Sequence, residues 1–191
     1  MKNKKIIAIS VVAVCIIVLF ALFLFSGNAG YEMSVTDTAT KEKISLGESR
    51  ESVEDKVGEP DDERDFLSST LFYYDDEDLS IVYDSSDCVA YIDCSGKHYS
   101  SLKHIIVGAD GEEAYKKAFG KDAKSITHKA IRFYGDVNNC KAISENELKS
   151  ILEETGSNDI YVMSFGVSTT DDTIERISIG NYKTVMYGQV D

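Results

Sequence analysis

The side chains best suited to chemistry in this 191-residue chain are three histidines, His98, His104 and His128. His98 and His104 flank a serine pair, Ser100 and Ser101. A hydrolase needs a nucleophile on a strained turn, with a histidine and an acid converging on it. The chain contains no G-x-S-x-G motif, and linker histidines are commonly just solvated. We therefore expect no enzymatic activity and name no catalytic residue.

Acidic residues are concentrated at two predicted hairpin turns. They are Asp75, Asp76, Glu77, Asp78, Asp84 and Asp87. Carboxylates suit calcium, but the run lacks the D-x-D-x-D-G spacing of an EF-hand, and aspartate is favoured in turns anyway. The pair Gly108 and Gly111 lacks the lysine or third glycine of a phosphate-binding loop. We expect no metal ion and no cofactor.

The cysteines exclude some chemistry and leave their pairing open. Cys88 and Cys94 lie six residues apart along one predicted strand, about 20 Å, whereas bridged Cα atoms lie within about 7 Å. A bridge from Cys140 to either one stays open, and at least one of these three is unpaired within the chain. No C-x-x-C pair is present, so we do not expect a structural zinc site.

The charge of the chain excludes nucleic acid as a partner. The sequence holds 20 basic and 33 acidic residues, and three of the lysines fall within the first five positions. A strongly negative field repels phosphate backbones. We therefore expect no nucleic-acid partner.

A helix start and stop are visible ahead of the first group of strands. Ser49 is typical of an N-cap, Val53 and Val57 share one helix face, and Gly58 with Pro60 ends the helix. The apolar runs LFYY, LSIVY and VAYI follow, separated by acidic turn clusters. We therefore predict a helix followed by an antiparallel sheet.

A similar pattern recurs about 60 residues later and indicates a tandem duplication. Asp110 and Glu113 form a capping box, and Gly120 ends the predicted second helix. The strand-like runs AIRFY, IYVMSFGV and TIERISIG follow. Within this second copy, residues 144–156 predict an inserted helix, capped by Ser144 and Glu147.

Turn lengths predict the register of the first three strands. Tyr74 faces Leu79, Phe72 faces Ile81, and Leu71 faces Val82. Ile81 then faces Ile92, and Val82 faces Tyr91.

Because the pleat alternates, Leu71, Val82 and Tyr91 form a row on the face opposite the helix, with Tyr73 beside them. We predict that these four residues bind a partner. The alternative is that they are buried between the two copies.

The run ISLGESRESVEDKVGEPD, residues 44–61, resembles the small modules of the BamE/SmpA and β-lactamase-inhibitor-protein-like group. The matching positions are Ile44, Gly47, Val53, Val57, Gly58 and Pro60. The second copy keeps Gly108 and Gly120 but has Lys121 and Asp122 where the proline would fall. The resemblance implies a non-enzymatic protein-binding scaffold whose open sheet face grips a partner.

The N-terminus predicts a membrane anchor. Residues 6–25 are apolar apart from Ser10, and twenty helical residues span about 30 Å, the thickness of a bilayer core. Lysines at positions 2, 4 and 5 predict a cytoplasmic N-terminus. The alternative is a signal peptide cleaved after Ala29. Location outside the cytoplasm follows either way.

These observations predict an α+β protein with an N-terminal transmembrane helix and two tandem helix-plus-antiparallel-sheet repeats. The expected divisions are a basic terminus 1–5, the anchor 6–25, a polar tether 26–43, and repeats at 44–97 and 98–191. The expected function is a single-pass, cell-membrane-anchored, extracytoplasmic protein-binding module with a partner in the cell envelope. The alternative is an envelope enzyme or a small-ligand-binding domain.

Overall fold

β-strands make up the largest share of the described chain. The computed structural model describes residues 32–66, 69–74, 76, 78–119, 130–136, 139–142, 148–150, 152–153 and 160–187. The strands are β1 Ser34–Asp37, β2 Lys43–Ser45, β3 Asp62–Phe66, β4 Ser69–Tyr74, β5 Leu79–Tyr83, β6 Val89–Cys94, β7 Tyr99–Ser101, β8 Ile105–Ile106, β9 Ala130–Asp136, β10 Asn139–Ala142, β11 Tyr161–Val167 and β12 Ile174–Asn181. The helices are α1 Arg50–Val57, α2 Gly111–Phe119 and α3 Tyr182–Tyr187, with a 3-10 turn at Leu102–His104.

The strands form two antiparallel sheets. The larger has eight strands in the order β10-β9-β11-β12-β6-β5-β4-β3, and the smaller has four in the order β2-β1-β7-β8. The predicted register of β4, β5 and β6 is confirmed: Leu71 pairs with Val82, and Val82 with Tyr91. Turn length and side-chain alternation were sufficient to align these strands because each hairpin is local.

The predicted signals at both helix starts are confirmed. In α1, the Ser52 N–H donates to the Ser49 hydroxyl at 3.3 Å, and Val53 is fully buried. The helix ends at Gly58, whose φ of 87° costs little free energy only for glycine. Before α2, Asp110 Oδ1 accepts from the Glu113 N–H at 2.8 Å.

One face of the large sheet carries the main core. Ile81, Ile92 and Ile179 are each fully buried there, together with Val53 of α1. The small sheet contributes Val35 to the same cluster. α1 and the small sheet therefore cover this face.

Among the described residues, a second apolar cluster covers one end of the opposite face. Its buried members are Tyr134, Leu148, Ile160, Val162 and Tyr182, and Leu152 and Val185 pack against them. Val162 pairs with Gly180, and Gly180 pairs with Tyr91, so this cluster lies on the same face as Tyr91. Leu148 and Leu152 are helical, whereas Ser144, Glu147 and Gly156 of the predicted insert lie outside the described residues.

The predicted architecture of two tandem helix-plus-sheet repeats is wrong. β6 pairs with β12 from Ile177↔Cys94 to Gly180↔Tyr91, so strands from both predicted repeats join in one sheet. β1 also pairs with β7, so the small sheet draws strands from both sides of the predicted boundary. Joining edges satisfies backbone groups that two separate sheets would leave unpaired.

The predicted membrane topology is also corrected. Among the described residues no helix is both long and apolar enough to cross a membrane; α2, with 9 residues, falls well short of the roughly 20 required. The segment 6–25 lies outside the described residues, as do His128 and Gly120. The predicted transmembrane helix, the membrane contact through it and the single-pass localisation therefore have no support in the structure.

Candidate functional site

A cleft of about 410 Å³ opens on the second face of the large sheet, over β4, β5 and β6. We call it the open-face cleft. Its aromatic and aliphatic lining includes Phe66, Leu71, Tyr73 and Tyr91. Its polar lining includes Asp78, Ser80, Asp93, Ser95 and Arg176.

Three of the four predicted binding residues meet in this cleft. Leu71, Tyr73 and Tyr91 are half-buried and line it. Val82 lies between Leu71 and Tyr91 in the register but is fully buried, so its surface is closed to a partner. Val82 is therefore not among the residues that line the cleft.

Asp93 is one of the polar residues at the cleft that the sequence did not predict. Its side chain is only 19% exposed, and its Oδ1 accepts from the Ser178 hydroxyl at 2.7 Å. The Arg176 Nε lies 3.4 Å from the same oxygen. The available signal was the pleat, because Asp93 lies two residues after Tyr91 and so faces the same side.

Burial raises the pKa of the Asp93 carboxyl above its ordinary value. The charge of Arg176 and the hydroxyls of Ser178 and Tyr91 act in the opposite direction but do not cancel the effect. Keeping the Asp93 carboxyl ionised in this buried position costs free energy. Perturbed acids in clefts are commonly functional, so Asp93 marks the site.

Tyr91 forms the aromatic wall beside Asp93. Its ring lies nearly parallel to that of Phe66, with 14° between the planes and 6.0 Å between the centroids. Burial, followed by the charge of Asp93, raises the pKa of its phenol, so the hydroxyl stays protonated and donates to Asp93. A Cβ added at Gly180 would lie 2.9 Å from the Tyr91 ring, so only glycine admits the ring at this depth.

The outer rim carries a second guanidinium. The Arg64 side chain stacks over the Tyr73 ring at 4.6 Å, and its Nε donates to Asp62 Oδ2 at 3.0 Å. Both Arg64 and Asp62 are well exposed. The rim therefore already shows a guanidinium group resting on an aromatic ring of this face.

The histidine and serine candidates lie elsewhere. His98 and His104 are not among the residues that line the cleft. The Ser101 hydroxyl donates to the Ser34 carbonyl at 2.6 Å, and the Ser100 hydroxyl to the Thr36 carbonyl at 3.3 Å. These bonds tie β7 to β1 and give both serines a structural role.

Within the described residues, metal-ligating side chains do not gather in groups of three or more. Cys88 and Cys94 are free thiols, so the bridge left open between Cys140 and either of them is not formed. Cys94 is buried, and burial raises the pKa of its thiol, which keeps it protonated. The described chemistry of the site is therefore the Asp93 group and its aromatic surroundings.

Comparison with known proteins yields only distant structural matches. No family model and no curated protein matches the chain. An extracellular protein containing a SCP domain from Bacillus anthracis shares 13% identity at a TM-score of 0.47, covering 79% of this chain and 48% of that one. A cysteine-rich secretory protein from Staphylococcus aureus shares 10% at 0.42, covering 83% and 50%. A DUF4309 family protein from Bacillus subtilis shares 14% at 0.33, covering 70% and 78%.

The chain spans about half the length of the first two of these structures. The predicted resemblance to BamE/SmpA and β-lactamase-inhibitor proteins is wrong, because these matches belong to other families. The residues that carried it, such as Gly58, form a helix stop, a local device that unrelated folds share. Likeness of this degree says nothing about activity, so the function rests on the cleft.

Proposed function

We propose that this chain is a non-catalytic binding module that receives a segment of a partner protein in the open-face cleft. The observation that carries the proposal is the half-buried aromatic group Phe66, Tyr73 and Tyr91 beside the Asp93–Arg176 pair. Tyrosine and phenylalanine are enriched in protein interfaces, and a few residues in an interface supply most of the binding energy.

The sheet supports the proposal because it holds these side chains in place before binding. Tyr91 is held by Phe66 and by the glycine beneath it, and Asp93 is held by Ser178. Side chains that are already ordered lose little conformational entropy when a partner arrives. A rigid aromatic and charged surface is therefore well suited to binding.

A small-ligand site is the second candidate, and the size of the cleft favours it. Small-molecule sites commonly enclose about 300–1,000 Å³, and this cleft falls within that range. Such sites are mostly apolar, whereas five of the described residues that line this one are polar or charged. The lining therefore favours a partner segment over a small apolar ligand.

A random peptide library displayed on phage tests the proposal. The immobilised full chain selects peptides, which are then titrated against the Tyr73→Ala and Glu112→Ala variants. Tyr73 lines the cleft, whereas Glu112 is exposed on α2 and serves as the matched control. We expect at least tenfold weaker binding to Tyr73→Ala and unchanged binding to Glu112→Ala, with similar melting temperatures. Selected peptides that bind both variants equally, or a selection that enriches none, would reject the proposal.

A further inference from the structure

Within the open-face cleft, the charges are arranged for a positively charged guest. Among its described lining residues, Asp78 and Asp93 are the acidic groups and Arg176 is the basic one. The whole chain carries a net charge of −13, which draws a cationic partner towards any of its faces. Asp93 is the most shielded of these charges, and opposite charges attract most strongly where water is partly excluded.

Arg176 shows how a guanidinium group can lie beside Asp93 in the cleft. Its Nε lies 3.4 Å from Asp93 Oδ1, longer than a well-formed charge-assisted hydrogen bond of about 2.7–2.9 Å. Its side chain is 59% exposed, so little packing holds it there. A long, exposed contact of this kind contributes little and is easily exchanged.

The aromatic residues that line the cleft also attract a positively charged group. Guanidinium and ammonium groups are drawn to the faces of aromatic rings. On this sheet, Arg64 lies over Tyr73 at 4.6 Å, which shows the geometry on the same face. Tyr91 and Phe66 present further rings beside Asp93.

Building on the function proposed above, we propose that the cleft receives a cationic side chain, arginine or lysine, of the partner segment. The guest binds the Asp93 carboxylate and displaces Arg176 from it. Phe66, Tyr73 and Tyr91 surround its aliphatic stem. Arg176 is thus an internal competitor for Asp93, and its removal strengthens binding.

The experiment uses N-acetyl-arginine methylamide as the probe and the citrulline analogue as its neutral match. Both are titrated into the full chain while amide chemical shifts are followed by nuclear magnetic resonance. We expect saturable shifts for residues of β5, β6 and β12 with the arginine probe, and at least tenfold weaker binding of the citrulline probe. Equal affinity for the two probes, or no saturable shift with either, overturns the inference.

Two variants separate this inference from a merely structural role. Asp93→Asn keeps the size of the side chain and is expected to remove the preference for the arginine probe. Arg176→Gln is expected to bind the arginine probe at least threefold more tightly, which damage to the fold does not produce. Weaker binding by Arg176→Gln overturns the inference, because it shows that Arg176 itself holds the guest.

Failure of this inference is distinguishable from failure of the proposed function. Selected peptides can depend on Tyr73 and still bind after their arginine and lysine residues are replaced by citrulline and norleucine. That result supports the binding module but contradicts the proposed cationic guest. A library that yields no Tyr73-dependent peptide rejects the binding module itself.

Discussion

At the residue scale, Asp93 links the stability of the protein to its site. Because burial raises its pKa in the folded state, the folded protein holds a proton on this carboxyl at pH values where the unfolded chain has released it. The contribution of Asp93 is therefore most favourable below the ordinary carboxyl pKa of about 4 and is lost as pH rises through the folded value. The loss of stability with rising pH is limited by the three groups that lower the pKa of Asp93, namely Arg176, Ser178 and Tyr91.

Asp93→Asn is therefore expected to be at least as stable as the natural chain at pH 7, even though we expect its binding to be impaired. The asparagine mimics the protonated carboxyl. The free energy of unfolding of the variant, relative to that of the natural chain, therefore increases as pH rises from about 4 towards neutrality. Urea denaturation at several pH values measures it, with the exposed Glu175→Gln as control. A variant that is markedly less stable at pH 7 than at pH 4, relative to the natural chain, contradicts the expectation.

Gly180 is the second residue whose identity the cleft requires. An alanine Cβ at Gly180 would meet the Tyr91 ring at 2.9 Å and the Ala90 carbonyl at 3.3 Å. Gly180→Ala is expected to cost about 1–3 kcal/mol, the usual range for overpacking. Gly166→Ala on the neighbouring β11 is the control, since its nearest contact would be an ordinary 3.6 Å. Equal unfolding free energies for the two variants would show that Tyr91 does not need this close approach.

At the element scale, α1 depends on its two ends more than on its length. Eight residues make few internal hydrogen bonds, so the Ser49 cap and the Gly58 stop matter. Gly58→Val places a β-branched residue at a φ of 87°, although no described residue beyond its chain neighbours lies within 4 Å of a Cβ there. The cost comes from the backbone alone and is expected to be about 1 kcal/mol or more.

Thermal and urea denaturation of Gly58→Val measure this cost, with Glu59→Val as the neighbouring exposed control. Glu59 lacks the positive φ of Gly58, so the control should be close to neutral. An unchanged melting temperature for Gly58→Val would mean that α1 can end without the left-handed residue.

At the scale of the whole molecule, the seam between β6 and β12 decides how the protein unfolds. Ile92 and Ile179 face each other across this seam and are both fully buried. Because one sheet spans the seam, strands from both halves of the chain are expected to unfold in a single cooperative transition.

Ile92→Ala is expected to cost about 2–5 kcal/mol, the usual penalty for emptying a buried isoleucine, and to shift the whole transition. Calorimetry compared with the van't Hoff enthalpy checks both statements. Val57→Ala, on the half-buried side of α1, is the control and should cost less. Two separate transitions in either variant would show that the halves fold independently.

Sequence by itself determined the local features of this protein. The Ser49 cap, the stop at Gly58 and the register of β4, β5 and β6 all follow from neighbouring residues, because caps, turns and the pleat act over a few positions. The same alternation brought Leu71, Tyr73 and Tyr91 together as candidate binding residues. The alternation did not show that Val82 is buried, since burial depends on what packs around a residue.

Only the tertiary structure decided the pairing of β6 with β12 and the composition of the cleft. Strand edges pair through backbone groups that every residue carries, so the sequence has no mark for which edges meet. That pairing brings Ser178 to Asp93 across 85 positions of the chain and places Arg176 beside them. The charged centre of the site is therefore a product of sheet topology, whereas its aromatic wall was already visible in the period of two along single strands.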